Sequence, residues 1–195
     1  MTIDDEGVER LVAAAKAGDP EAFGSLFDRY YGPVHRYVAA RVGRPSDAED
    51  LAQLVFVKAL EALPRYEERG IPFGGWLFRL ARNVVIDHIR TRREHVTLDL
   101  IVEKSTDADG PDELAALRQE MDSIACALRR LTPDQREAVE LRFFAGLSAK
   151  EAADVMGRQE GTVRGLQFRA IAALRRELGI EADTDGLARA SGTTR

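Results

Sequence analysis

The residues best equipped for chemistry in this chain are arginines, and they come in two runs. Pro72 to Glu94 holds five (Arg79, Arg82, Arg90, Arg92 and Arg93) against Asp87 and Glu94. Arg158 to Leu178 again holds five (Arg158, Arg164, Arg169, Arg175 and Arg176) against Glu160 and Glu177. A guanidinium is a rigid fork of donors that matches phosphate oxygens and the major-groove edge of guanine. Between the runs, His95 to Ala115 sets Lys104 against six acids. The formal net charge of −5 therefore does not exclude nucleic acid, because affinity for a phosphate backbone follows local charge rather than the sum. Charge alone favours the plainer account, two solvated helix faces, so spacing must decide.

In the first run, Arg79, Arg82, Asn83, Asp87 and Arg90 recur three or four residues apart and share one side of a helix. A basic stripe with Asn83 at its centre and Trp76 nearby has the parts to grip a backbone and to bond or stack an unpaired base. Trp76 itself fits a core position better, and Asp87 can pair with an arginine one turn away. In the second run the signal is more specific. A capped helix carrying Ala152, Ala153, Val155 and Met156 runs into Gly157, which can adopt the left-handed conformation at a helix end. After a short polar turn, Val163, Leu166, Ala170 and Leu174 face inward while Glu160, Thr162, Arg164, Phe168 and Arg169 face outward. That is a helix-turn-helix pattern, in which the second helix can lie in a major groove; a plain packed helical hairpin is its rival.

Other chemistries find few parts. His35, His88 and His95 have no metal-ligand spacing, and Gly74-Gly75 lacks the lysine and spacing of a phosphate loop. The lone Cys126 cannot form an intramolecular disulfide and is expected to fill a helix interface; with one cysteine a reducing cytoplasm fits best. No apolar run is long enough to span a bilayer, and the acidic N-terminus is unlike a signal peptide. The reading is of a cytoplasmic protein that is not an enzyme, with no cofactor, no metal, no small-molecule substrate and no membrane insertion.

The elements that position these residues are helical almost throughout. Leu11, Ala14 and Ala15 suggest a first helix, ended at Gly18-Asp19-Pro20. Phe23, Leu26, Phe27, Tyr30, Tyr31, Val34, Tyr37 and Val38 mark a long amphipathic one. Ser46-Asp47-Ala48-Glu49 has the form of a capping box, opening a helix with Leu51, Leu54, Val55, Val57, Leu60 and Leu63. A loop from Pro64 to Pro72 leads to a helix from about Phe73 to Arg93, with Trp76, Leu77, Leu80, Ala81, Val84, Val85 and Ile89 as its apolar face. Helical pattern resumes near Glu113, with N-terminal signals at Thr132-Pro133-Asp134-Gln135 and Ser148-Ala149-Lys150-Glu151. The fold class is all-α, two small helical domains with a helix-turn-helix in the second. The expected boundaries are 1–95, an acidic flexible linker 96–113, 114–180, and a disordered tail 181–195.

With these residues assembled, the chain resembles the sigma-70 family of RNA polymerase sigma factors, in the compact extracytoplasmic-function (ECF) group that keeps regions 2 and 4. Asp47 to Phe56 (DAEDLAQLVF) is similar to the polymerase-binding helix, Phe73 to Arg93 (FGGWLFRLARNVVIDHIRTRR) to the −10 element helix, and Leu131 to Leu178 to the −35 module. The resemblance implies that Asp47, Glu49, Asp50, Gln53 and Phe56 dock on the β′ clamp helices of core polymerase. It implies that Asn83, with the loop Pro64 to Pro72, captures a flipped base. Arg79, Arg82, Arg90, Arg92 and Arg93, with Trp76, would serve the rest of the −10 contact. Arg158, Thr162, Arg164, Gly165, Phe168 and Arg169 would serve the −35 element. The implied function is promoter recognition and melting at transcription initiation, with polymerase (β′ clamp helices and β flap), promoter DNA and an anti-sigma factor as partners. A stand-alone helix-turn-helix regulator is the alternative. Departures are visible: Gln159 is a poor N-cap where Ser is usual, Leu54 replaces a common acid, and Leu166-Gln167 exchange the usual polar and apolar order.

Overall fold

The computed structural model describes residues 5–42, 44–68, 70–96, 123–124 and 126–180. The expected acidic linker, the resumption of helix near Glu113 and the tail 181–195 lie outside the described residues. Among these residues there is no strand, and no helix is long and apolar enough to cross a membrane.

The N-terminal module is four helices: α1 (Asp5–Lys16), α2 (Pro20–Val42), α3 (Pro45–Ala62) and α4 (Phe73–Val96). Gly18, at φ 95°, makes the turn between α1 and α2, and the Asp19 carboxylate accepts from the Glu21 amide to start α2. The helix α3 begins two residues earlier than the capping-box reading, with Ser46 as N-cap, placed it. Pro45 takes the first helical position, Arg44 is the N-cap, and no side chain caps the end; proline is pre-organised there because its missing amide leaves nothing unsatisfied. Leu26, Val34, Tyr37, Val38, Val55, Leu63, Leu77, Ala81 and Val85 fill the core. Phe78, whose place between two arginine-bearing turns hides it from pattern reading, is also fully buried and meets Tyr37 edge-on at 5.7 Å.

The C-terminal module consists of α5 (Pro133–Val139), a π-helical turn (Glu140–Phe144), α6 (Ala149–Met156) and α7 (Glu160–Glu177). Both expected capping boxes are present, Thr132 with Gln135 and Ser148 with Glu151. Gly157 ends α6 at φ 64°, the conformation only glycine holds without strain. Gln159 gives α7 no side-chain cap. Cys126 is exposed, contrary to expectation; Ala127 and Leu128 beside it are the buried residues.

The two modules are not separate bundles. Leu141, Leu147, Ala152, Val155, Met156 and Val163 belong to one continuous apolar core with Val34, Tyr37, Phe78 and Leu77 of the first module. A second, smaller cluster of Leu128, Leu131, Val139 and Ala170 holds α5 against α7.

Candidate nucleic-acid and polymerase interface

The helix-turn-helix is positioned as its pattern requires. Val163, Leu166 and Ala170 are buried against α6 and α5, and Leu174 is half-buried. That register settles the exchanged pair: Leu166 faces the core, and the Gln167 side-chain oxygen accepts from Arg142 Nε at 3.0 Å. Arg142 also donates to the Leu147 carbonyl, tying the turn before α6 to the middle of α7. Outward stand Gly161, Thr162, Arg164, Phe168 and Arg169. Phe168 is 76% exposed, an apolar ring of that size left in water. Arg164 forks onto Glu160 at 2.6 and 2.9 Å, and Arg158 pairs with Asp134 at 3.0 Å. The Arg169 guanidinium passes over Gly165, where an added Cβ would lie 3.4 Å from it. The face therefore has donors at its edges and an almost side-chain-free strip with one ring between them.

The α4 arginines divide into two sets. Asn83, Asp87 and Arg90 are exposed, Arg90 lies 3.5 Å from Asp87, and Arg92 lies 3.6 Å from Asp47. The Arg93 side chain lies outside the described residues. Arg79 and Arg82, by contrast, turn to the C-terminal module and do not join an open stripe with Asn83. Arg79 donates from Nε and Nη2 to the Asp154 carbonyl at 2.9 and 2.5 Å. Arg82 donates to Glu137 at 2.5 Å. The residues share one side in sequence spacing, but the C-terminal module packs along part of that side, α6 taking Arg79 and α5 taking Arg82. Trp76 is half-buried among Tyr66 (4.8 Å) and Phe73 (5.4 Å), the core-like placement its type favours. Burial pushes the Tyr66 hydroxyl up to about 12, while its O–H donates to the Ile71 carbonyl at 3.1 Å and braces the loop before α4.

Below α4, Arg41 closes the junction. It lies 2.5 Å from Glu140 and 3.8 Å from Glu137, and stands over the Tyr37 ring at 5.0 Å. Burial alone would lower its pKa, but Tyr37, Glu140 and Glu137 together raise it, so it stays charged. Glu140, with no exposed surface, also accepts from Arg136 at 2.8 Å, and Arg136 reaches the Ala40 carbonyl at 2.6 Å. Sequence reading missed Glu137 and Glu140 entirely, since on a short helix they look like ordinary solvent-facing acids.

On α3, Glu49, Asp50 and Gln53 are exposed as expected. Asp47 is half-buried, held by Arg92 and 3.7 Å from His88 Nε2. Phe56 departs from expectation: it is 5% exposed and packs on Phe27 at 4.7 Å. The apolar residues of α3 that do reach solvent are Leu54, Val57 (52%) and Leu60 (54%), from the same apolar series as the buried Leu51, Val55 and Leu63. Phe23, Phe27, Tyr31, Phe56, Val57 and Leu60 line an open groove between α2 and α3, with Gln53 as its polar lining residue. Exposed apolar surface of this kind on a helix marks a protein-binding face. Among the described residues no group of His, Cys, Asp and Glu is placed to hold a metal ion.

Comparison with known proteins agrees with this geometry. Residues 26–95 match the family model for sigma-70 region 2, and residues 121–174 match that for sigma-70 region 4. The ECF RNA polymerase sigma factor BldN of Streptomyces coelicolor is 38% identical over 181 residues, covering 92% of this chain and 69% of BldN. The ECF RNA polymerase sigma factor ShbA of Streptomyces griseus is 37% identical over 184 residues, covering 88% of this chain and 96% of ShbA. Among solved structures, CnrH in complex with the cytosolic domain of CnrY superposes with a TM-score of 0.70 at 28% identity, over 90% of this chain and 99% of that one. The sigma factor RpoE in complex with the anti-sigma factor NepR from Bartonella quintana gives 0.67 at 26% identity, over 82% and 98%. With both region models matched in order, and with relatives this similar over most of their length, the chain belongs to the ECF group of the sigma-70 family of RNA polymerase sigma factors.

Proposed function

We propose that this protein binds core RNA polymerase through α3, directs it to promoters by reading two spaced DNA elements, and opens the DNA at the nearer one, without itself being an enzyme. The observation that carries the reading is the exposed face of α3. A regulator that acts alone on DNA has no use for Glu49, Asp50 and Gln53 beside solvent-exposed Leu54, Val57 and Leu60 on the same chain as a helix-turn-helix. Polymerase, by its β′ clamp helices, supplies the partner. Phe56 serves this contact from beneath, shaping the groove with Phe27, and Asp47 is held in place by Arg92.

The domain assignment that goes with this function is region 2-like for 1–95, a connector for 96–113 and region 4-like for 114–180. In the first module, Asn83 and the loop Pro64 to Pro72 receive a base flipped from the −10 element, with Arg90, Arg92 and Arg93 on phosphates. Arg79, Arg82 and Trp76 join that contact once the C-terminal module leaves α4. In the second, α7 enters the major groove of the −35 element. Arg164 and Arg169 stand ready for guanine or phosphate, Phe168 for an apolar base edge, Thr162 and Gly165 for close approach, and Arg158 for the backbone beside it. The β flap is the polymerase surface for this module. An anti-sigma factor, as accompanies RpoE in its complex with NepR, is the proposed regulator.

The test is a mobility shift of promoter DNA with and without core polymerase, followed by run-off transcription. The expected result is a specific shift and a transcript only when core is present. An equal shift by the protein alone would assign it to the class of stand-alone regulators.

A further inference from the structure

We infer that Lys16, on α1, is a positioning residue for base capture: it fastens Tyr66 and, through Tyr66, the loop that with Asn83 receives the flipped base. The inference rests on that reading of Asn83 and the loop, and it gives α1 a part in it. The polar groups of Tyr66 carry the argument, because all three are engaged. Its amide donates to the Leu63 carbonyl at 3.0 Å, closing the single 3-10 turn Leu63–Arg65. Its hydroxyl donates to the Ile71 carbonyl at 3.1 Å. Its own carbonyl, past the end of that turn and so without a helical partner, accepts from the Lys16 ammonium at 2.5 Å across 50 residues of sequence. The ring between these bonds packs on Trp76 at 4.8 Å and meets Phe73 edge-on at 5.9 Å. One residue thus ties the loop at Tyr66 and Ile71 to the first turn of α4, and a different helix holds that residue in place.

The sequence of α1 puts the ammonium there. Val8 and Val12 are buried in the main core and fix how α1 lies. Lys16 follows at the same four-residue interval, on the same face and in the last turn, where a cation also suits the negative end of the helix. Lys16 stays exposed, so the bond strands no buried charge. From the other side, α4 closes onto the loop through its two glycines. A Cβ on Gly75 would stand 2.9 Å from Ile71 Cγ2, and one on Gly74 would stand 3.3 Å from the Tyr30 ring. Taking a base out of its stack is costly. A receiver that had first to order its own loop would add that entropy to the cost, and a loop already fastened does not.

The experiment uses the full chain bound to core polymerase. The probe is the single −10 strand of a promoter that supports run-off transcription, with each base replaced in turn by an abasic site. Circular dichroism checks that every variant keeps its helices. Wild type should lose about tenfold in affinity when the captured base is the one removed. Lys16→Met keeps the apolar stem and drops the charge; in it that loss should shrink to about twofold, the intact strand binding about fivefold more weakly and the strand without the captured base binding as before. Tyr66→Phe removes the hydroxyl and leaves the ring, and should act in the same direction. Lys16→Arg should restore the wild-type discrimination. Full discrimination in both folded variants, Lys16→Met and Tyr66→Phe, would overturn the proposal. So would an equal weakening of every strand, which would make Lys16 a phosphate contact or a general brace. A wild-type chain indifferent to every abasic site would instead sink base capture itself, the reading on which the role of Lys16 rests.

Discussion

Glu140 offers the sharpest test of whether this chain folds as one cooperative body. It has no exposed surface and accepts from two guanidiniums, Arg41 of the N-terminal module at 2.5 Å and Arg136 of its own module at 2.8 Å. Glu140→Gln is close to isosteric, so it opens no cavity; it removes the charge alone. Hydrogen bonds to charged groups are worth about 1.5–3 kcal/mol and neutral ones about 0.5–1.5. Each of the two bonds then weakens by roughly 1–1.5 kcal/mol, for a combined loss of about 2–3 kcal/mol. Arg41 keeps Glu137 at 3.8 Å as a counter-charge, so the larger penalty of a stranded buried cation is avoided. With a urea dependence near 2 kcal/mol per molar, the midpoint should fall by about 1 M.

The assay follows from the chain's one tryptophan. Trp76 lies in the N-terminal module against Tyr66 and Phe73, whereas Glu140 lies in the C-terminal one. Indole fluorescence therefore reports the unfolding of the module that was not mutated, and far-ultraviolet ellipticity reports both. Coupled modules require the Trp76 transition to move with the ellipticity. If the fluorescence midpoint stays at its wild-type value while ellipticity is lost earlier, the modules unfold independently, and the ion pairs between them add no mutual stability.

Three further outcomes are expected. Val57→Glu and Leu60→Glu, at positions more than half exposed, should shift stability by no more than about 0.5 kcal/mol and yet weaken core-polymerase binding by about 2 kcal/mol or more; unaltered affinity for core would place the polymerase contact elsewhere. Arg169→Ala should cost about 1–3 kcal/mol at one position of the −35 element and relax the base preference there, read by affinity across a promoter library; a uniform loss at every sequence would assign Arg169 to phosphate. Burial raises the folded-state pKa of Tyr37, and that of Tyr66 to about 12, above the ordinary 10.0. Stability from these neutral phenols is full below pH 10 and lost as pH rises through 10 to 12. Phenolate absorbance from these two should rise only as ellipticity falls, and ionisation with the helices intact would show that burial does not hold the protons.

The parts of the fold legible in the sequence are those fixed by local chemistry. Thr132 and Ser148 declare helix starts because each finds its Gln or Glu three residues on, and Gly157 declares a helix end because the turn needs a left-handed residue. Ser46 carries the same box pattern and yet does not cap, since Pro45 ahead of it already satisfies the first helical position. What the sequence conceals is which apolar or charged residues are inside. Helical period gives Leu54, Val57 and Leu60 the same standing as Leu51, Val55 and Leu63, and only the packing of α2 and α4 around α3 decides which three meet solvent. Phe56 shows the converse, a residue pointed at a partner by its motif but seated under the surface it shapes. Glu137 and Glu140 are harder still. Acids three apart on an amphipathic segment signal water, and nothing nearby in sequence announces that Arg41 and Arg82 will arrive from far earlier in the chain.

The separations in sequence make the point physical: Arg41 and Glu140 are 99 residues apart, and Arg82 and Glu137 are 55 apart. A contact of that range leaves no periodic trace. The exchanged pair on α7 yields to the opposite kind of argument, because there the constraint is short-range. Val163, Leu166 and Ala170 form a three-and-four spacing that must face α6, and moving Gln167 inward in place of Leu166 would bury an amide and expose a leucine, which costs on both counts. Arg142 then gives the Gln167 oxygen a donor at the edge of the core. The outward strip, Gly161, Gly165 and Phe168 between Arg164 and Arg169, follows from that inward one by geometry alone, and in the proposed −35 contact it would put the selectivity on Phe168 and the flanking arginines.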